Sequence, residues 1–200
     1  MVKRQAKSSG KPNRLRIVAG NWRGRRLPVL DLPGLRPTSE RVRETLFNWL
    51  MHWIPQKSCL DLFAGTGALG FEALSRGAAG CTFVERDQTA CRQLRLNAAS
   101  LDAAKAHIQR GDAYACLESL PDKSFDLVFL DPPFADADLA RLCSLVDRSG
   151  ILAGNARVYV EQDRDAPDLE LPPGWAPFRT ATAGNVRYSL FLTDQEQADE

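Results

Sequence analysis

The 200-residue sequence holds no apolar stretch near the ~20 residues that a membrane-spanning helix needs. Its longest uncharged apolar runs lie around positions 46–54 and 127–130, so no membrane partner is expected. The first ten residues carry positive charge with no apolar segment behind it, which predicts no secretory signal. Histidine is scarce: His52 and His107 are the only two. The five cysteines (Cys59, Cys81, Cys91, Cys116 and Cys143) are odd in number, widely spaced and never in a Cys-x-x-Cys pair. Neither a disulfide framework nor a zinc site is indicated, and reduced, buried thiols in a cytoplasmic protein without a metal are expected. No internal repeat is present. Hydrophobic residues at 44% and charged residues at 26% exclude a disordered chain, a collagen-like fibre and a coiled coil. What remains is one globular domain, with or without an arm, large enough to bury roughly 70% of its unfolded surface.

The net charge is only +1, but it is unevenly spread. Twelve of the 26 basic residues lie at or before Arg43, against Asp31 and Glu40, so this stretch carries +10 and the remainder −9. A basic arm on an acidic body points to a polyanionic partner, or to a solvated tail that aids solubility. The arm has local order in its pattern. Two strand-like runs, 15–20 and 24–29, flank a Gly-Asn-Trp-Arg-Gly turn and read as a hairpin. Arg14, Arg16, Trp22, Arg23, Arg25 and Arg26 are its candidates for phosphate and base contact. The chain divides into a basic flexible tail (1–13), the hairpin arm (14–37), a main domain (38–192) and an acidic, frayed tail (193–200).

After the arm, strand and helix alternate. Val42, Leu46, Trp49, Leu50 and Trp53 share one helical face, predicting a helix from 39 to about 53 capped by Thr38 or Ser39. Apolar runs of strand length follow at 59–63, 81–85, 107–109, 125–130, 157–161, 178–183 and 186–192, with helical patterns at 67–76, 88–100, 113–119 and 138–148. The class is α/β: a mostly parallel sheet covered on both faces. Gly184-Asn185 is a hairpin signal, so the sheet ends antiparallel.

Candidate chemistry sits at the carboxyl ends of four strands. Asp61-Leu62-Phe63-Ala64-Gly65-Thr66-Gly67-Ala68-Leu69-Gly70 runs from a strand through Gly-x-Gly-x-x-Gly into a helix. The glycines permit a tight turn and close backbone approach to a ligand. Alone, this loop serves NAD(P), flavin or S-adenosylmethionine equally. Glu85, followed by Arg86, ends the next strand twenty residues beyond Gly65, where a carboxylate accepts from both hydroxyls of a ribose. Asp112 after the third strand accepts an adenine amine while the Ala113 N–H donates to a ring nitrogen; Asp112 also reads as a helix N-cap, and one side chain can do both. The fourth strand, 125–130, runs into Asp131-Pro132-Pro133-Phe134. Its prolines remove two N–H donors and stiffen the turn. Asp131 and the Pro132 carbonyl can hold both hydrogens of an exocyclic amine, and Phe134 can stack on the heterocycle. A hydride-transfer enzyme has no use for this element.

These residues resemble class I S-adenosylmethionine-dependent methyltransferases that act on an exocyclic amine of a base. More narrowly, Arg16-Ile17-Val18-Ala19-Gly20, the block from Arg36-Pro37-Thr38 to Leu50, the glycine loop and Asp131 to Phe134 resemble the ribosomal RNA small-subunit methyltransferase D family. Those enzymes are bacterial 16S rRNA guanine-N2 methyltransferases. The resemblance implies a seven-stranded Rossmann-like sheet of order 3-2-1-4-5-7-6 with an antiparallel last strand. It also implies S-adenosylmethionine as cofactor and 16S rRNA within an assembling small subunit as substrate, acted on by a monomer. On that reading Asp61, Phe63, Ala64, Gly65, Gly67, Glu85, Arg86, Asp112 and Ala113 face the cofactor, and Asp131, Pro132, Pro133 and Phe134 the target amine. The basic arm, lying outside the cofactor motifs, is expected to govern RNA affinity and not cofactor affinity. Because adenine-N6 methyltransferases share the Asp-Pro-Pro turn, that turn alone does not choose the base.

Overall fold

A computed structural model describes residues 14–30, 38–133 and 138–193. Phe134, the tail at 1–13 and the acidic residues after Thr193 lie outside the described residues. Strands β1 (Arg14–Arg16) and β2 (Arg26–Pro28) form the expected antiparallel hairpin, with Leu15 opposite Leu27. There follow α1 (Glu40–Trp49), β3 (Ser58–Asp61), α2 (Ala68–Ser75), β4 (Gly80–Glu85), α3 (Gln88–Ser100), β5 (Ala106–Arg110) and α4 (Ala113–Leu117). The chain continues through β6 (Phe125–Leu130), α5 (Leu139–Arg148), β7 (Leu152–Asp163), β8 (Ala176–Ala183) and β9 (Val186–Leu192).

The seven-stranded sheet runs β5-β4-β3-β6-β7-β9-β8, which is 3-2-1-4-5-7-6 when counted from β3. Pairings among β3 to β7 are parallel; β9 is antiparallel to both β7 and β8. Both faces are covered, which is why the central strands read as continuous apolar runs. Along β6, Leu127 and Phe129 join the core against α1 and α2, whereas Val128 and Leu130 join the core against α4 and α5.

Two elements differ from expectation. Helix α1 stops at Trp49, short of 53, with Leu50 as C-cap; Trp53 N–H then bonds the Leu50 carbonyl in a tighter turn. Pro55 disfavours helical backbone just before it. Strand β7 is longer than 157–161: Leu152 pairs with Phe125 and Asp163 with Val186 around a register shift. Thr193, expected in the frayed tail, is buried, and its N–H and hydroxyl both donate to the Ala156 carbonyl.

The hairpin is bound into the body. Leu15, Ile17, Leu27 and Val29 are buried in the same core as Phe71 and Leu94. Its turn docks on α2: Asn21 N–H bonds the Ser75 carbonyl, and Ser75 Oγ donates to the Ala19 carbonyl. Gly20 stands at φ +80° where a Cβ would overlap the Ser75 carbonyl, so this close approach requires glycine. Trp22 is half-buried against the core and is not an exposed blade. Arg14, Arg16, Arg23, Arg25 and Arg26 all face outward.

Candidate active site

Parallel pairing brings the carboxyl ends of β3 to β6 to one edge of the sheet. Asp61 lies beside Phe83 on one side and Phe129 on the other, and Glu85 lies beside Arg110. The glycine loop turns here. Gly65 and Gly67 have φ of +49° and +76°, and a Cβ on Gly67 would stand 2.6–2.7 Å from Phe71 and Leu94. The loop is tied to its neighbour strand: Ala64 N–H donates to the Val84 carbonyl at 2.9 Å, and Gly65 N–H to Glu85 Oε2 at 2.9 Å.

Glu85 is half-buried, and its other oxygen accepts Asp87 N–H at 2.8 Å. Its two backbone bonds fix the carboxylate while leaving lone pairs for a diol. Arg86 beside it is exposed. Asp112 caps α4, accepting from Tyr114 and Ala115 N–H at 3.0 and 3.2 Å; Ala113 is buried behind it. Phe63 meets Tyr114 edge-on with ring centroids 6.4 Å apart. Tyr114 drew no notice in the sequence, yet this half-exposed ring gives the strand-end edge an aromatic wall suited to a heterocycle.

Asp61 is buried and accepts Gly70 N–H at 3.0 Å. Burial pushes its carboxyl up to about 7, opposed by that hydrogen bond and helped by the charges of Asp131 and Glu85. Asp131 keeps some exposed surface, and Pro132 is buried and Pro133 exposed beyond it. Desolvation pushes the Asp131 carboxyl up to about 6, against a bond from Thr38 Oγ1 to Oδ2 at 3.2 Å. Next to it on β7, Glu161 is buried, accepts Tyr159 OH at 2.9 Å and is raised to about 8 by burial and then by the Asp131 charge.

The family resemblance places the start of the helix, Thr38 to Arg43, near the methionine end of the cofactor, but no local pattern marks the bond from Thr38 to a carboxylate 93 positions away, and Glu161 was not singled out. Behind them, Arg43 Nε donates to the Thr38 carbonyl at 3.2 Å, and its Nη1 meets Glu72 Oε2 at 3.2 Å, both side chains buried. Glu72 also accepts Val18 and Ala19 N–H and Arg76 Nε, so one carboxylate ties the hairpin turn, α1 and α2 together. The exit of the hairpin reaches the cofactor loop as well: Pro28, Val29 and Leu30 share a small pocket with Gly65, Thr66 and Asn97. The end of the arm therefore lies near a cofactor motif, while none of its arginines lines that pocket. A larger open groove of about 770 Å³ is lined by Ser58, Thr82, Arg95, His107 and Phe125 and contains none of Asp61, Glu85 or Asp131. All five cysteines are buried and free, and the described residues form no metal-ligating cluster.

The sheet order, the glycine loop and the carboxylates at the strand ends define a class I methyltransferase. The model of the family described as Conserved hypothetical protein 95 matches residues 15–192. "Ribosomal RNA small subunit methyltransferase D" of Escherichia coli K12 is 45% identical over 191 residues, 93% of this chain and 96% of that one. The enzyme of the same name from Haemophilus influenzae is 46% identical over 180 residues, 88% of this chain and 93% of its own length. A solved methyltransferase structure from Escherichia coli superposes with TM-score 0.84 at 41% identity, covering 92% of this chain and all of that one. The chain belongs to the ribosomal RNA small-subunit methyltransferase D family. An RNA methyltransferase from Salinibacter ruber, solved in complex with S-adenosyl-L-homocysteine, shares the fold at TM-score 0.62 and 17% identity, covering 82% of this chain and 98% of that one.

S-adenosylmethionine is the cofactor of this class, and the residues present fit it. A Cβ at Gly67 would displace its neighbours, Glu85 is braced by two backbone N–H groups, and carboxyl groups at the strand ends suit a cationic ligand.

Proposed function

We propose that the protein transfers a methyl group from S-adenosylmethionine to the exocyclic N2 of a guanine in 16S rRNA, during assembly of the small ribosomal subunit. The observation that carries this reading is the Asp131-Pro132-Pro133 turn. It sets a desolvated carboxyl at the end of β6, beside the glycine loop, in a chain whose relatives are named for small-subunit rRNA methylation.

The bound cofactor supplies a methyl group on a sulfonium, a good leaving group. Glu85 holds the ribose hydroxyls, with Arg86 beside it; Asp112 and the Ala113 N–H hold the adenine, with Phe63 and Tyr114 as apolar walls. Ala64, Gly65 and Gly67 allow the backbone to approach closely, and Asp61 faces the methionine end. The amine lone pair of guanine is delocalised into its ring and is a poor nucleophile. Hydrogen bonds from the amine to Asp131 and the Pro132 carbonyl favour a pyramidal nitrogen whose lone pair points at the methyl group. Phe134 stacks on the base, which must leave its helix to reach the strand ends. Arg14, Arg16, Arg23, Arg25 and Arg26 supply phosphate contacts, and Trp22 backs the turn that joins their two strands. The working organisation is a hairpin arm at 14–37 on a methyltransferase domain at 38–192, acting as a cytoplasmic monomer.

The test is to map modified nucleosides in bulk 16S rRNA from cells with and without this protein. A guanine methylated at N2 only in its presence supports the reading. A methylated adenine would assign the same turn to adenine N6 instead, and unchanged rRNA would refute the substrate.

A further inference from the structure

Strand β7 carries Arg157 on the face covered by α1, two positions before the buried Tyr159. Its guanidinium carbon lies 4.4 Å from the centroid of the Trp53 ring and 5.0 Å from that of Phe178. The stack continues at both ends: Lys57 Nζ stands 5.0 Å from the Trp53 centroid, and Arg179 Cζ 4.6 Å from that of Phe178. Cation and ring therefore alternate through Lys57, Trp53, Arg157, Phe178 and Arg179. Local backbone builds this row. Trp53 sits in the turn after α1, and a register shift between Pro177 and Arg179 leaves Phe178 without a partner residue on β9. Such an irregularity re-aims side chains, and β8 is an edge strand of the sheet.

The cations differ in their partners. Lys57 pairs with Asp126 at 3.0 Å, and Arg187 on β9 with Asp168 at 3.1 Å. Among the described residues, no carboxylate pairs with Arg157 or Arg179. Arg179 is exposed and gives one N–H to the Phe178 carbonyl. Arg157 is half-buried; burial lowers its pKa, and no neighbouring charge opposes the shift. No buried side-chain nitrogen among the described residues lacks a partner, so the N–H groups of Arg157 open to solvent. An aliphatic side chain would join α1 to the sheet without that desolvation. A guanidinium gripped between two rings presents instead a fixed fork of donors that matches the oxygens of a phosphate.

The stack also borders the hairpin arm. The arm's turn rests on the end of α2, where Trp22 N–H donates to Ser75 Oγ at 3.0 Å. The loop that follows meets the other neighbour: the Gly77 carbonyl accepts Gln56 N–H, and Ala79 N–H donates to the Lys57 carbonyl. Outward-facing Arg23 and the stack thus flank one loop.

Resting on the function proposed above, we propose that Arg157, clamped between Trp53 and Phe178, forms with Arg179 a second rRNA-binding surface that grips backbone phosphates beyond the hairpin. Arg157 is level with Leu127, four residues before Asp131, so the grip falls about 13 Å along the strand direction from the Asp-Pro-Pro turn. Phosphate contacts of this kind orient the RNA without reading its sequence, and they leave base recognition to the strand ends.

The experiment measures binding of the full-length protein to naked 16S rRNA across potassium chloride concentration, for wild type, R157M, R179Q and the double variant. Methionine keeps the space between the rings filled and removes the charge. The double variant should flatten the slope of log K against log salt by about 1.4–1.8, two contacts at about 0.7–0.9 each. Its RNA affinity should fall about tenfold or more, and the loss in methylation should lie in KM for RNA. Modification of arginines by phenylglyoxal, read by mass spectrometry, should label Arg179 in the free protein and spare it in the rRNA complex. Thermal melting and cofactor titration verify folding. R179Q alters an exposed side chain, so it tests the surface even where R157M is destabilised.

A double variant with the wild-type slope would overturn the proposal, as would an Arg179 equally reactive with rRNA bound. Variants that bind naked 16S rRNA normally yet fail on assembled particles would assign this surface to a ribosomal protein, which also overturns it. If the wild type methylates adenine in place of guanine, the functional reading fails separately, while the slopes still test the surface.

Discussion

Replacing Glu72 by alanine is the sharpest test of how the hairpin is joined to the site. The carboxylate is fully buried and accepts four N–H groups: Val18 at 2.8 Å, Ala19 at 3.0 Å, Arg43 at 3.2 Å and Arg76 at 2.8 Å. Its removal leaves the Arg43 guanidinium, 1% exposed, without its counter-ion. Burial already lowers the pKa of Arg43, with Glu72 the first of the charges that oppose it. Breaking a buried pair by deleting one partner costs about 3–5 kcal/mol. The two orphaned backbone N–H groups place Glu72→Ala at the upper end of that range. In a chain of this size the loss corresponds to a fall in Tm of roughly 6–20 °C.

Glu72→Gln should recover little. One oxygen serves Ala19 and Arg76 and the other serves Val18 and Arg43, so the amide nitrogen opposes two donors in either orientation. Urea unfolding at pH 7 measures the loss. Hydrogen exchange should show Val18, Ala19 and Asn21 losing protection first. The double variant Glu72→Leu with Arg43→Met removes both charges and should be more stable than Glu72→Ala by about 1 kcal/mol or more. A Glu72→Ala variant within about 1 kcal/mol of wild type would refute the reasoning, since a stranded buried charge cannot be so cheap.

Glu85→Ala removes a carboxylate that positions Gly65 and is proposed to bind ribose; calorimetry should show cofactor affinity falling at least about tenfold, and unchanged affinity would remove Glu85 from the site. Replacing Arg23, Arg25 and Arg26 together by alanine should reduce the slope of log K for RNA against log salt by about two units or more, at about 0.7–0.9 per phosphate contact. Identical slopes would show that the hairpin does not touch RNA. The Asp61 carboxyl binds its proton more tightly when folded, at about 7, than when unfolded, so between about pH 4 and 7 it makes the free protein less stable as pH rises. Asp61→Asn should abolish that part of the slope, its advantage over wild type growing to about pH 7 and then levelling; a pH-independent difference would show that Asp61 is not desolvated in solution.

Much of the sheet was legible in the sequence because its signals are local. A strand buried on both faces is nearly apolar throughout, so 125–130 was readable without its neighbours, and 186–192 was readable as the second arm of a hairpin signalled by Gly184-Asn185. The glycine loop, Glu85, Asp112 and the Asp131 turn follow from strands that end where parallel pairing aligns them. The order of the sheet came from resemblance, since no spacing dictates it.

Tertiary structure alone decided the rest. Glu72 reads as one more residue of a helical pattern, yet packing makes it the acceptor for groups from the hairpin turn, α1 and α2. Glu161 reads as the polar end of a strand, and only pairing of β7 between β6 and β9 buries it beside Asp131 and opposite Tyr188. Thr38 reads as a helix cap, but Ser39 takes that role and frees the Thr38 hydroxyl for Asp131. These partners are distant in sequence, and their chemistry changes when burial removes water. Residue type therefore determined which groups could titrate or donate, and the folded contacts determined which of them do.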